Sequence, residues 1–337
     1  MNKCTSSVFS ADVFRFMKFL SAFIGLFRLV NTSCAVFRGV DSPLNSAVGG
    51  AVASISLLFD DVERRQGVAL YLFVRGWEVY VKQLVRVGVF PYWKYAESFL
   101  FGVANMPIMY GFLFEPDLLQ RGYYKWILSM GNITDQGLGD TLRVRRDAYF
   151  NRGEIIPFRN CSCGYHEGPC TSYCIIDWFR GLLRAGKIYF PVHFLPLLIF
   201  RYNAVAKDPQ GQILKTGIAL LNSCCFLTSY QILVKGSECF LRNNRHVDSS
   251  WHALVSGLLT GLSCLFERDS RVSELMLYCM PRGIEAGWNY LTKYGYVKNI
   301  KYAEVGFMAV AMGMLTASAR ADFKLTYHRS LCFLIGS

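Results

Sequence analysis

Leu70-Tyr71-Leu72-Phe73-Val74-Arg75-Gly76-Trp77-Glu78 and, 207 positions later, Leu277-Tyr278-Cys279-Met280-Pro281-Arg282-Gly283-Ile284-Glu285 are one element written twice. Arg75, Gly76 and Glu78 fall on Arg282, Gly283 and Glu285, and Leu70 and Tyr71 fall on Leu277 and Tyr278. The same offset carries Lys94-Tyr95-Ala96-Glu97 onto Lys301-Tyr302-Ala303-Glu304 and, upstream, Val40-Asp41-Ser42 onto Val247-Asp248-Ser249. Matches of charge, glycine and aromatic at one fixed spacing mark an internal duplication. Both copies are apolar with charges at matched points, the pattern of a duplicated membrane unit.

Composition points the same way. Hydrophobic residues make up 53% of the 337 and charged residues 18%, against roughly 25% charged in an ordinary soluble domain. Uncharged length decides the class: Ser98 to Phe114 and Gly217 to Val234 carry no charge, each close to the about 17 to 25 residues that cross a bilayer as a helix. Four helical stretches per copy follow by hydropathy. They run near 8–30, 45–59, 66–89 and 95–114, then 215–238, 251–266, 272–291 and 302–321. An even number returns the chain to its starting side, so the expected fold is all-α and polytopic: two parallel, pseudo-symmetric repeats of about four transmembrane helices.

The expected domains are a first membrane repeat over 1–114, a polar linker with a cysteine-rich motif over 115–180, and a second repeat over 181–337. The last opens with an apolar stretch, 179–200, which Pro191 and Pro196 mark as an interfacial or broken helix. Val8 to Val30 has the apolar look of a signal peptide. Arg15, Lys18 and Arg28 interrupt it, and its counterpart in the second copy is internal.

The net charge of +12 raises nucleic acid as a partner. Its basic residues are scattered between apolar runs or sit at their ends, and no stretch has the aromatic platform of an RNA binder, so nucleic acid is excluded as an expected partner. A positive loop bias explains the charge. No nucleophile elbow, phosphate-binding glycine loop or HExxH motif occurs, and the expectation is a protein that is not an enzyme.

Three sets of residues carry candidate chemistry. Arg75 with Glu78, and Arg282 with Glu285, stand three apart inside apolar runs, so each pair shares a helix face. Ionisable groups at membrane depth either form an internal pair that fixes packing or line a water- or headgroup-filled groove, and both readings stand. Ser46, Gly50 and Ser54, matched by Ala253, Gly257 and Gly261, clear one helix face at intervals of four, for packing within a bundle or for a dimer. Cys163, His166, Cys170 and Cys174 are candidate ligands of a structural zinc, with a disulfide or plain reduced thiols as the alternatives. No other cofactor is expected.

Pro169-Cys170-Thr171-Ser172-Tyr173-Cys174, Ser237-Glu238-Cys239-Phe240-Leu241-Arg242, His252-Ala253-Leu254 with Gly257 and Gly261, and Arg282-Gly283-Ile284-Glu285-Ala286-Gly287 resemble, in that order, the transmembrane protein 135 family. Glu63-Arg64-Arg65 and Tyr71 resemble its other half. The chain departs from that family in having only Cys4 near its start and in the placing of His166. The family is distantly similar to the Tim channel-like proteins of the mitochondrial inner-membrane translocases. The resemblance implies a multi-pass protein of peroxisome or mitochondrion, acting in mitochondrial fission, peroxisome organisation and lipid metabolism, with membrane lipids and fission-machinery proteins as partners. The residues themselves hold open an alternative, a lipid or small-solute transporter or channel with a groove between the repeats.

Overall fold

The computed structural model describes residues 11–131, 168–200, 202–247, 249–298 and 300–321. Every regular element among them is helical. The helices are α1 (Ala11–Arg38), α2 (Pro43–Ala53), α3 (Val62–Arg86), α4 (Ala96–Leu113), α5 (Arg121–Gly131), α6 (Cys170–Phe200), α7 (Tyr202–Lys207), α8 (Pro209–Arg245), α9 (Ser250–Leu259), α10 (Asp269–Lys293) and α11 (Ala303–Ala321). Helices therefore stand at all eight stretches read as helical in the sequence. α2 and α9 each tighten into a 3-10 segment, Ser54–Phe59 and Thr260–Phe266.

Among the described residues, three helices are long and apolar enough to cross a membrane: α1, α6 and α8. α2 and α9 are too short. α3 and α10 are amphipathic, α3 carrying Glu63, Arg64, Arg65, Arg75, Glu78, Lys82 and Arg86, so their burial is one-sided. Of the interfacial or broken helix expected at Pro191 and Pro196, the break is absent: α6 runs unbroken past both. Each proline removes one intrahelical hydrogen bond, and a helix of 31 residues packed along α8 keeps its course despite that loss.

The chain forms two compact units, Met1–Trp93 with Val297–Ser337, and Lys94–Tyr296. They cut across the sequence copies. In the first unit α11, from the second copy, packs on α2 and α3. In the second, α4, from the first copy, packs on α9 and α10. α4 thus lies with α9 and α10, and α11 with α2 and α3.

Glycines seat these helices. A Cβ on Gly76 of α3 would stand 3.0 Å from the carbonyl oxygen of Ala311 on α11; on Gly283 of α10 it would collide with the carbonyl oxygen of Ala104 on α4. Both glycine and alanine recur at the 207 spacing. A Cβ on Gly50 would stand 2.6 Å from Thr316 Oγ1 and 2.7 Å from the Met312 oxygen, and one on Gly257 2.5 Å from the Asn105 oxygen. A Cβ on Gly261 would stand 2.6 Å from the Ser98 oxygen, whereas Ser54, at Gly261's counterpart position, turns its hydroxyl back to the Gly50 carbonyl at 2.9 Å. The small residues are buried packing surfaces within each unit, where backbone meets backbone and dispersion contacts accumulate.

In the first unit, Phe19, Phe23 and Phe27 lie four apart on α1 and bury against Ala53, Leu57, Met308 and Met312. In the second, the end of α4 and the turn after it (Tyr110, Phe112, Phe114, Leu118) pack with Ala253 and Ala286. That core holds the elements lining the site below.

Candidate functional site

Within the second unit, α4, α5, α6, α8 and α10 enclose a cavity of about 330 Å³, at the small end of the volumes that hold small-molecule ligands. Its wall is almost wholly apolar. Phe101 from α4, Trp126 from α5, Phe226 and Tyr230 from α8 and Tyr278 from α10 supply most of it. Phe101 holds Phe226 and Tyr230 edge-on at 5.9 and 6.1 Å. The Tyr230 hydroxyl donates to Asn105 Oδ1 at 2.9 Å, and Asn105 Nδ2 to the Phe101 carbonyl at 2.7 Å. The Tyr230 hydroxyl is thereby satisfied and its ring face left apolar.

Polar groups enter the lining at two places along α8. At one, Lys235 Nζ lies 2.6 Å from Asp177 Oδ2 and 3.1 Å from the Gly131 carbonyl. Asp177 also accepts from Arg184 at 2.8 Å, so one carboxylate serves two cations. A turn earlier, Gln231 donates through Nε2 to the Met130 carbonyl at 2.8 Å. Its Oε1 is buried without a hydrogen-bond partner among the described residues.

At the other place, Arg271 donates to Ser223 Oγ at 2.7 Å and to His193 Nε2 at 3.1 Å. Ser223 donates to Glu267 at 2.6 Å. His193 Nε2 also stands 3.1 Å from Ser223 Oγ, so the serine, imidazole, guanidinium and carboxylate form one hydrogen-bonded cluster. Arg271 and Glu267 are counterparts, at the 207 spacing, of Arg64 and Asp60. In the first copy Arg64 clasps Asp60 through Nε and Nη2; in the second, Arg271 Nη1 is 3.8 Å from Glu267 and lines the cavity.

The sequence pairs behave differently. Arg75 and Glu78 meet at 2.8 Å, with Lys82 on the other Glu78 oxygen at 2.7 Å. Arg282 and Glu285 do not pair. Arg282 stacks over Tyr278 with its guanidinium 3.7 Å from the ring centre, reaches Tyr123 at 5.0 Å, and donates to the Tyr278 carbonyl. Glu285 accepts from Gln120 at 3.0 Å. Tyr278 and Tyr123 both line the cavity, so Arg282 borders it through aromatic faces, while the Arg75 pair stabilises α3 in the first unit.

Cys170 and Cys174 sit on the first turns of α6 and line a second cavity with Cys239 of α8. Among the described residues no group of three or more His, Cys, Asp or Glu converges as a metal site. Cys163 and His166 lie outside the described residues.

Glu115, just past α4, closes the far side of the unit. It accepts from Tyr110 at 2.6 Å, Tyr294 at 2.9 Å and Lys293 at 2.6 Å. Burial pushes its carboxyl up, but these three donors outweigh burial and hold it below the ordinary carboxylate value.

The cavity residues escaped sequence reading because they come from five helices far apart in the chain, two of them in the region between the copies. The spacing that aligns Arg64 with Arg271 is the one signal that was available. No family model matches the chain, and no solved structure matches it.

Proposed function

We propose that the chain is a non-enzymatic polytopic membrane protein that holds the apolar part of a lipid in the second unit. Its two copies are parallel four-helix repeats joined by exchange of their fourth helices. The aromatic cavity carries this reading, because an almost wholly apolar chamber with a few polar groups at its margin matches an amphiphile rather than a polar solute. The three long apolar helices agree with a membrane setting. So do the outward Ile175, Phe179, Leu183, Phe190 and Leu198 of α6, a row that lipid would cover. The lipid sits within one unit, a variation on the transporter expected to use a groove between repeats. The resemblance to the transmembrane protein 135 family adds the organelle setting, a peroxisomal or mitochondrial membrane, and roles in fission and peroxisome organisation. Lipid binding is the part that the geometry supports.

The test is purification in a mild detergent followed by lipid extraction and mass spectrometry. The reading expects near-stoichiometric lipid with wild type and loss of that lipid from a folded Leu227→Trp variant, whose larger ring fills the cavity. Equal lipid in both would sink it.

A further inference from the structure

The cavity margin is asymmetric in what it leaves unsatisfied. At the Arg271 end, Ser223, His193, Glu267 and Arg271 hydrogen-bond to one another and the guanidinium is balanced by a carboxylate. At the other end a buried acceptor and a positive charge stay uncompensated. Gln231, 9% exposed, has its amide nitrogen fixed on Met130, so the orphan atom is the oxygen, and an orphan acceptor is satisfied only by a donor such as a hydroxyl. An ammonium has three N–H groups; Lys235 spends two, on Asp177 and Gly131. Asp177 is also shared with Arg184, so the three charges sum to one excess cation, which faces the cavity through Lys235. Gln231 and Lys235 stand four apart on α8, one turn, and present together.

We infer that this turn of α8 is a head-group site for a single-chain lipid carrying both a hydroxyl and an anionic oxygen, as a lysophospholipid with a free glycerol hydroxyl does. The hydroxyl donates to Gln231 Oε1, and the anionic oxygen accepts the third Lys235 N–H. The acyl chain runs along α8 past Tyr230, Leu227 and Phe226. The distance from Gln231 to Ser223 is eight residues of helix, about 12 Å, so the cavity of about 330 Å³ takes up the first part of one acyl chain. The inference rests on the proposed lipid reading and adds its chemical class.

Three probes separate the parts: oleoyl lysophosphatidic acid has both groups, monooleoylglycerol only hydroxyls, and oleate only the charge. Binding of each to the purified full chain in detergent, by native mass spectrometry with competition, is expected to favour the first by about tenfold over either of the others, as for one hydrogen bond lost. Lys235→Met should weaken the lysophosphatidic acid and oleate by about tenfold and leave monooleoylglycerol unchanged. Gln231→Met should weaken the lysophosphatidic acid and monooleoylglycerol and spare oleate. Lys235→Arg, which keeps the charge, should retain binding. Asp177 keeps Arg184 in the Lys235→Met protein, so that variant should fold; if it does not, the ranking of the probes on wild type decides. Saturable binding of all three with equal affinity, or equal losses across probes, overturns the head-group site while leaving the lipid reading intact. No saturable binding of any probe overturns both.

Discussion

Gly283 lies so close to Ala104 that a single methyl group added to it would collide with the Ala104 carbonyl oxygen, and 207 positions earlier Gly76 faces Ala311 in the same way. Because the clash at Gly283 is with backbone, relief requires helix displacement, and the cost should exceed that at Gly76, where the gap is 3.0 Å. Gly283→Ala is expected to destabilise the protein in detergent by about 1–3 kcal/mol, Gly76→Ala by less. Gly287→Ala, with nothing within 4 Å, should gain about 0.5–1 kcal/mol from helix propensity alone. Thermal unfolding of the three variants measures the order. Equal effects at 283 and 287 would mean that α4 and α10 do not approach as described.

The exchange of fourth helices makes a covalent prediction. A Cβ built on Gly313 of α11 is 4.0 Å from Ala51 Cβ on α2, within the 3.5–4.5 Å usual for a disulfide. Ala51→Cys with Gly313→Cys should oxidise to an intrachain bond, found by peptide mass spectrometry. Ala51→Cys with Met106→Cys, the pair that an unexchanged first copy would bring together, should not.

The two charge pairs should respond differently although their sequences match. Arg75 and Glu78 touch, with side chains only 13% and 9% exposed, so a double-mutant cycle should give about 1 kcal/mol or more of coupling. Arg282 and Glu285 use other partners, and their cycle should give under about 0.5 kcal/mol. Arg282→Met should instead loosen Tyr278 and Tyr123 at the cavity and lower lipid retention.

Glu115 sets a pH dependence. Its pKa is lowered on folding, so the unfolded chain binds the proton more readily. The stabilisation is present above the unfolded value of about 4.3 and is lost as pH falls through the lower folded value. Glu115→Gln should therefore be less stable than wild type at pH 7, by about 1–3 kcal/mol from hydrogen bonds lost at a buried carboxylate. Lys293 is half-exposed, so solvent screening reduces its share of that figure. The gap between the two proteins should close below about pH 4. A gap independent of pH would assign Glu115 a packing role only.

Helix positions were legible because apolar periodicity and the 207-residue spacing reinforced each other: Arg75, Gly76 and Glu78 locate α3, and their counterparts locate α10. The exchange was not legible. Duplication gives α4 and α11 the same small, apolar character, so Ala104 fits Gly283 as well as Ala311 fits Gly76, and sequence alone leaves the partner undetermined. Matching residue types also hid the divergence of Glu285, since Gln120, its acquired partner, lies outside the repeat. Pro191 and Pro196 read as breaks because the contact of α6 with α8 that sustains the helix is tertiary. The cavity had no sequence signature: Trp126, Tyr230 and Tyr278 are scattered aromatics until the fold gathers them.

Saturable occupancy of the cavity in the second unit is the most direct test of the account. Trp126 lines that cavity, so a lipid with a brominated acyl chain should quench part of the protein's fluorescence to a plateau, reversibly on adding the unbrominated lipid. That component should disappear in Trp126→Phe and should not saturate in the cavity-filled Leu227→Trp protein. Quenching that rises without limit with brominated lipid, unaltered by Trp126→Phe and by Leu227→Trp, would contradict lipid binding in this cavity.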